Sequence, residues 1–142
     1  MSRLLEAIVF SALLVGCGDS VESTKDGGGN CTDVFTTKVN YAGQEVVVGC
    51  YYPGTYSITA SIVQTSGTCQ AVFQWQSASA SSHQCTATLS GNATSGYDLD
   101  YPTCSLPGAI HVLPDLSSFT GHFDWTVSCG SGTTTFQSIT RK

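Results

Sequence analysis

Beyond residue 30, apolar and polar positions alternate along most of the chain. In CQAVFQWQ, Cys69, Ala71, Phe73 and Trp75 share one parity, and Gln70, Gln74 and Gln76 the other; Val72 is the one breach. Side chains of a β-strand point to opposite faces with period two, so this pattern predicts a half-buried antiparallel strand. YSITASIV repeats it, with Tyr56, Ile58, Ala60 and Ile62 against Ser57, Thr59 and Ser61. So do CTATL (Cys85, Ala87, Leu89), YDLDY (Tyr97, Leu99, Tyr101) and HFDWTVSC (Phe123, Trp125, Val127, Cys129). Weaker strands are expected at Val34–Tyr41, Glu45–Tyr52, Ala109–Leu113 and Thr133–Thr140.

Turn-forming residues separate these runs: Ala42-Gly43, Pro53-Gly54, Ser66-Gly67, the serines from Ser77 to Ser82, Ser90 to Gly96, Pro107-Gly108, Pro114-Asp115 and Gly130 to Gly132. No segment after residue 30 has a helical period. Some eight or nine short strands with regular turns predict an all-β, antiparallel domain, a small barrel or sandwich. The short connections favour a meander, and a meander of this size removes its exposed edges by closing on itself. A Greek-key return would have to use Ser90–Gly96 or Pro102–Gly108.

The first thirty residues have a different character. Arg3 precedes a compact apolar run from Ala7 to Val15. Such a run matches the roughly 7–15 residues of a signal-peptide core and is shorter than the about 20 needed to span a bilayer. It ends in Leu14-Val15-Gly16-Cys17. This motif resembles the lipobox of bacterial lipoproteins, and the resemblance covers the leader alone. It implies cleavage before Cys17, acylation of Cys17, and membrane attachment through an N-terminal lipid. One acyl chain anchors only marginally, so stable attachment needs two or more; the lipoprotein class carries three. Glu6, inside the leader, departs from the cleanest form of the pattern. In common Gram-negative lipoproteins an Asp directly after the lipidated Cys favours the inner membrane. Here Gly18 holds that place and Asp19 follows, which leaves the outer membrane of the cell envelope as the expected location.

Residues 18–30, GDSVESTKDGGGN, lack apolar periodicity and read as a flexible tether of about 20 Å reach. The expected organisation is a signal peptide at 1–16, a lipidated tether at 17–30 and one β domain at 31–142.

Six further cysteines, Cys31, Cys50, Cys69, Cys85, Cys104 and Cys129, suit three disulfides on an exported chain. The wide spacing and the lack of a C-x-x-C argue against zinc. Hairpin midpoints favour sequential pairing, Cys31–Cys50, Cys69–Cys85 and Cys104–Cys129. Cys85–Cys104 also brackets a turn.

Charged residues make up only 11% of the chain, and Ser, Thr, Gly and Gln supply the polar surface. A net charge of −5 without any Lys/Arg cluster argues against nucleic acid as a partner. No G-x-S-x-G elbow is present. His122 and Asp124 share a strand face, as do Asp98 and Asp100, which admits an acid–base or cation site or simply a solvated wall. His111 reads as an ordinary strand residue and His83 as an exposed turn residue.

Inward Trp75 and Trp125 belong either to the core or to a ligand cavity near one mouth of a barrel. Tyr51, Tyr52 and Tyr56 surround a Pro-Gly turn and form a candidate aromatic contact tip. No cofactor is implied. The expected role is a non-enzymatic binding module for a small ligand, glycan or envelope protein. The rivals are an envelope hydrolase built on His122 and Asp124, and a purely structural surface protein.

Overall fold

The structure, a computed structural model, describes residues 31–50, 52–78 and 82–142. The leader, Cys17, the tether and Tyr51 lie outside the described residues. Eight antiparallel strands form a closed barrel: β1 Val39–Val48, β2 Gly54–Gln64, β3 Gln70–Ser77, β4 His83–Asn92, β5 Gly96–Asp100, β6 Gly108–Val112, β7 Ser118–Val127 and β8 Gly130–Arg141. Each strand pairs with its neighbours in sequence and β8 closes onto β1, so the barrel is an up-and-down meander with no Greek-key return.

The alternation seen in the sequence sets the inside of the barrel. Ile58, Ala60, Phe73, Trp75, Ala87, Leu89, Leu99, Phe123 and Trp125 are all buried. The widest ring has a small registered neighbour: Ala60 faces Trp75. This is how a narrow barrel accommodates bulky rings at native density. Phe73 is the hub. It stacks on Trp75 at 4.9 Å and meets Phe119 and Phe136 edge-on at 5.6 and 5.7 Å. The outer wall is polar, with cross-strand neighbours such as Thr59 and Gln76, Gln74 and Gln84, and Thr88 and Asp100. A transmembrane barrel has the reverse arrangement, apolar outside and polar within.

Three expectations about the strands need correction. Ala42-Gly43 is not a turn: β1 runs straight through it, and Gly43 pairs with Ile58. The two weak strands expected on either side are therefore one. A Cβ at Gly43 would lie 2.6 Å from Ile139 Cδ1, so glycine is there for close approach of β8. The chain before Val39 is an arm of bends, not the start of a strand. Gly130 to Gly132 belongs to β8, because Val127 pairs with Gly130 across a two-residue turn of Ser128 and Cys129.

β8 also breaks strict alternation. Its register shifts by one residue against both β1 and β7 near Ser138, whose φ is +51°. That bulge puts Phe136 and Ile139, three residues apart, both inside the barrel.

All six cysteines of the domain form disulfides, but not sequentially. The pairs are Cys31–Cys69, Cys50–Cys129 and Cys85–Cys104, with Cα separations of 5.0, 6.1 and 5.7 Å. Two bridges do not follow the hairpins. Cys31 sits on the arm, which folds back to the β2–β3 turn, and Cys129 meets Cys50 because β8 lies beside β1 in the closed barrel.

Candidate functional site: the open mouth of the barrel

The two ends of the barrel are unlike. At one end lie the N-terminal arm, the β2–β3, β4–β5 and β6–β7 turns and the C-terminus. Phe35 from the arm plugs this end; it is fully buried and packs edge-on against Tyr97 at 5.8 Å. Gln64, also buried, holds the plug with both ends of its amide. Its Oε1 accepts from the backbone N–H groups of Val34 (2.8 Å) and Phe35 (3.1 Å). Its Nε2 donates to the carbonyls of Thr32 (3.2 Å) and Thr68 (2.8 Å). Asp33 adds an outer clasp, accepting from Ser66 Oγ (2.6 Å) and Gly67 N (2.7 Å), and these bonds hold its carboxyl below the ordinary Asp range. This end is shut.

The other end carries the β1–β2, β3–β4, β5–β6 and β7–β8 connections, and opens into a cavity of about 160 Å³. The aromatic floor of Phe73, Phe119 and Phe136 lies below it. Trp75 and Phe123, whose rings are 5.3 Å apart, line the cavity together with Trp125. The sequence thus placed both tryptophans inside, and the fold brings both to one mouth. Trp125 is held firmly. Its Nε1 donates to Thr134 Oγ1 at 3.2 Å, and its six-membered ring occupies the space beside Gly49 and Gly132.

The wall on one side is not a strand. β5 and β6 have five residues each, so the barrel is low there. The loop 101–107 fills the notch, and its Leu106 lines the cavity. Three features fix the loop: the Cys85–Cys104 disulfide, the Tyr101 N to Gly108 O bond (2.9 Å) and the Asp124 N to Pro107 O bond (2.8 Å).

The polar content of the mouth was not evident from the sequence. Glu45 lines the cavity at 2% exposure, and Ser77 Oγ donates to its Oε1. Ser77 is the last residue of β3, not part of a turn, and is buried. His83 is not an exposed turn residue either. It opens β4 opposite Trp75, with ring centroids 5.3 Å apart, and lines the same cavity. Burial holds its imidazole below the ordinary His value, and the nearby Glu45 offsets this only in part. Among the described residues, no Lys or Arg lines the cavity. The signal for Glu45 was parity: Val39, Tyr41, Gly43 and Glu45 share one face if β1 is read without a break.

The other candidates are dispersed. Tyr52 sits on the rim, 64% exposed, and lines the cavity. Tyr56 is part of its support, its hydroxyl donating to the Tyr52 carbonyl at 3.0 Å. His122 and Asp124 lie exposed on the outer wall, where Asp124 accepts from Thr133 Oγ1 at 2.8 Å. The His–Asp contact that does form is on another pair of strands, His111 Nδ1 to Asp98 Oδ1 at 2.7 Å, and both side chains are largely exposed. Among the described residues, no three His, Cys, Asp or Glu side chains are grouped to hold a metal ion.

A larger depression of about 470 Å³ lies on the outer wall over β1–β3, lined by Lys38, Asn40, Gln74, Gln76 and Lys142 among others. Its lining mixes polar and apolar surface about equally, and it is open to water. The mouth is smaller but enclosed by aromatic rings, which is the usual make-up of a small-molecule site. No protein-family model, curated protein or solved structure matches this chain.

Proposed function

We propose that this protein is a non-catalytic binding module of the bacterial cell envelope, anchored by lipid at Cys17, whose barrel mouth takes up a small, mostly apolar molecule. The observation that carries this reading is the contrast between the ends: one is plugged by Phe35, the other opens between Trp75 and Trp125. A cavity of this size has about the volume of engineered apolar cavities that hold benzene, so the ligand is small or leaves part of itself outside. The indole N–H of Trp75 is buried and makes no hydrogen bond among the described residues. An acceptor on a ligand that reached it would relieve a desolvation penalty of about 1–3 kcal/mol.

Two features support the envelope setting. Three disulfides suit an oxidising compartment. The described chain enters at Cys31, at the closed end, so an anchor N-terminal to it leaves the mouth on the far side of the barrel. Substituting Cys17→Ser is expected to release the protein from the membrane fraction.

The binding test uses benzyl alcohol and benzylammonium, probes of matched size, titrated into the full chain while indole fluorescence is followed. A saturable change with either probe, lost in Leu106→Phe, which fills the mouth from its loop side, supports the reading. A change with neither probe, or one that survives in Leu106→Phe, overturns it.

A further inference from the structure

We infer that the open end of the barrel docks, mouth down, on an uncharged lipid surface, with Val48, Tyr52 and Val127 as the collar that enters it, and that the mouth draws its ligand from there; this extends the reading of the mouth as the ligand site. The three side chains are 62%, 64% and 37% exposed. Tyr52 and Val127 also line the cavity, so collar and cavity form one apolar surface. The Cys50–Cys129 disulfide ties together the two hairpins that carry the collar. Among the described residues the other exposed large apolar side chain, Leu113, is at the closed end, two residues from Asp115.

Charge is distributed to match. The four open-end connections, residues 49–53, 78–82, 101–107 and 128–129, contain no Asp, Glu, Lys, Arg or His. The arm, the closed-end connections and the C-terminus carry Asp33, Lys38, Asp115 and Lys142. β1 shows the same gradient within one strand: toward the mouth its outward positions run Asn40, Ala42, Gln44, Val46 and Val48. Asp124 on β7 is three residues back from Val127, about 10 Å along the strand. Asp100 ends β5, where the barrel is low. Insertion to the headgroup boundary, about 5–10 Å deep, leaves both carboxylates in water.

A protein partner is steered and held in register by complementary charges, and this end offers none. A neutral lipid surface asks for none: tyrosine gathers at headgroup level, and apolar side chains gain by leaving water. The ligand points the same way. A small, mostly apolar molecule concentrates in a bilayer rather than in water, so a mouth that touches lipid takes it up directly. The tether permits the approach. Residues 17–30 extend to at most about 45–50 Å. Strands of 10–12 residues such as β1, β7 and β8 rise about 33–40 Å, and less along the axis of a barrel in which they tilt. A barrel anchored through its closed end can therefore turn its mouth to the membrane that holds it.

The chain's two tryptophans, Trp75 and Trp125, are both at the mouth, so indole emission reports where the mouth lies. The full chain is reconstituted with phosphatidylcholine vesicles, with and without bromine on the acyl chains, which quenches indole at close approach. Brominated lipid should lower the emission at least two-fold. Salt between about 0.05 and 0.5 M, which screens charge-driven adsorption, should not change this. Val48→Asp should remove most of the quenching. Val48→Leu should keep it, as should Thr59→Asp, which puts the same charge on the outer wall. Quenching that is absent from the unmodified protein, or retained in a folded Val48→Asp, overturns the docking; the first result is what a collar built for a protein partner gives. A chain that does not sediment with the vesicles overturns it as well. If Val48→Asp fails to fold, brominated lipid on the unmodified protein decides. Val48 does not line the cavity, so Val48→Asp should still bind benzyl alcohol. Benzyl alcohol binding without quenching removes the docking and leaves the ligand site standing.

Discussion

The six-membered ring of Trp125 lies where a side chain on Gly132 would have to be: a Cβ there would come within 2.2 Å of Trp125 Cζ2 and 2.4 Å of the Val48 carbonyl oxygen. Gly132 is thus part of the mouth although it contributes no side chain to it. Gly132→Ala is expected to destabilise the protein by about 1–3 kcal/mol, the usual penalty for overpacking, and to shift the tryptophan emission by displacing the indole. Gly67→Ala is the control. Its Cβ would meet nothing within 4 Å, so only the left-handed backbone (φ +72°) opposes it, at about 1 kcal/mol, and the emission should not move. Urea denaturation followed by fluorescence checks both.

Period-two alternation was enough to place most of the interior, because in a narrow barrel every inward residue must be apolar or paired. It located Phe73, Trp75, Leu99, Phe123 and Trp125 on the buried face. It missed Glu45 for a physical reason. Ala42-Gly43 has turn-like composition, but Gly43 is needed where β8 crosses closely, and taking it as a turn breaks the parity that leads to Glu45. The bulge at Ser138 was hidden in the same way, since no residue there announces a positive φ. The disulfides followed barrel closure, a long-range property that local turn positions do not encode: Cys50 and Cys129 are 79 residues apart in the chain.

Gln64 offers a test of the closed end. Its amide satisfies two backbone donors and two backbone acceptors of the arm and the β2–β3 turn. Gln64→Leu abandons all four and is expected to cost about 2–4 kcal/mol, since each bond contributes about 1 kcal/mol and some of the stranded groups stay buried. Gln64→Glu keeps the acceptor for Val34 and Phe35 but sets a buried carboxylate oxygen against the Thr32 and Thr68 carbonyls, so its loss should be at least as large. Amide hydrogen exchange at Val34 and Phe35 should quicken in Gln64→Leu before the strands of the barrel are affected.

Two core tyrosines should make the fold sensitive to alkali. Burial raises Tyr41 to about 12 and pushes Tyr101 higher still. Their hydroxyls donate to the Leu116 and His122 carbonyls, at 3.2 and 3.0 Å. A tyrosine ionises near 10 in the unfolded chain, so between about pH 10 and the raised folded values the unfolded state loses protons that the folded state keeps. The stabilisation is complete below pH 10 and disappears as pH rises through the folded values. Urea midpoints should be flat from pH 8 to 10 and fall from pH 10 to 12. Tyr41→Phe should lessen the fall, at the expense of some stability at pH 8 from the unpaired Leu116 carbonyl.

The disulfides separate stability from recognition. Loop-closure entropy assigns the Cys85–Cys104 bridge, with a sequence separation of 19, about 3 kcal/mol, and Cys31–Cys69, with a separation of 38, slightly more. On stability alone the two should be hard to tell apart. Their places in the barrel differ: Cys31–Cys69 ties the arm to the closed end, while Cys85–Cys104 holds the loop that carries Leu106 against the cavity. A Cys85→Ala/Cys104→Ala variant should therefore lose about 3 kcal/mol and bind benzylammonium at least five-fold more weakly, because a loosened wall readmits water and must be ordered again on binding. A Cys31→Ala/Cys69→Ala variant should lose similar stability and keep its affinity within two-fold. Equal loss of affinity in both would mean that the loop does not form the wall of the site, and that the bridges act only on the unfolded chain.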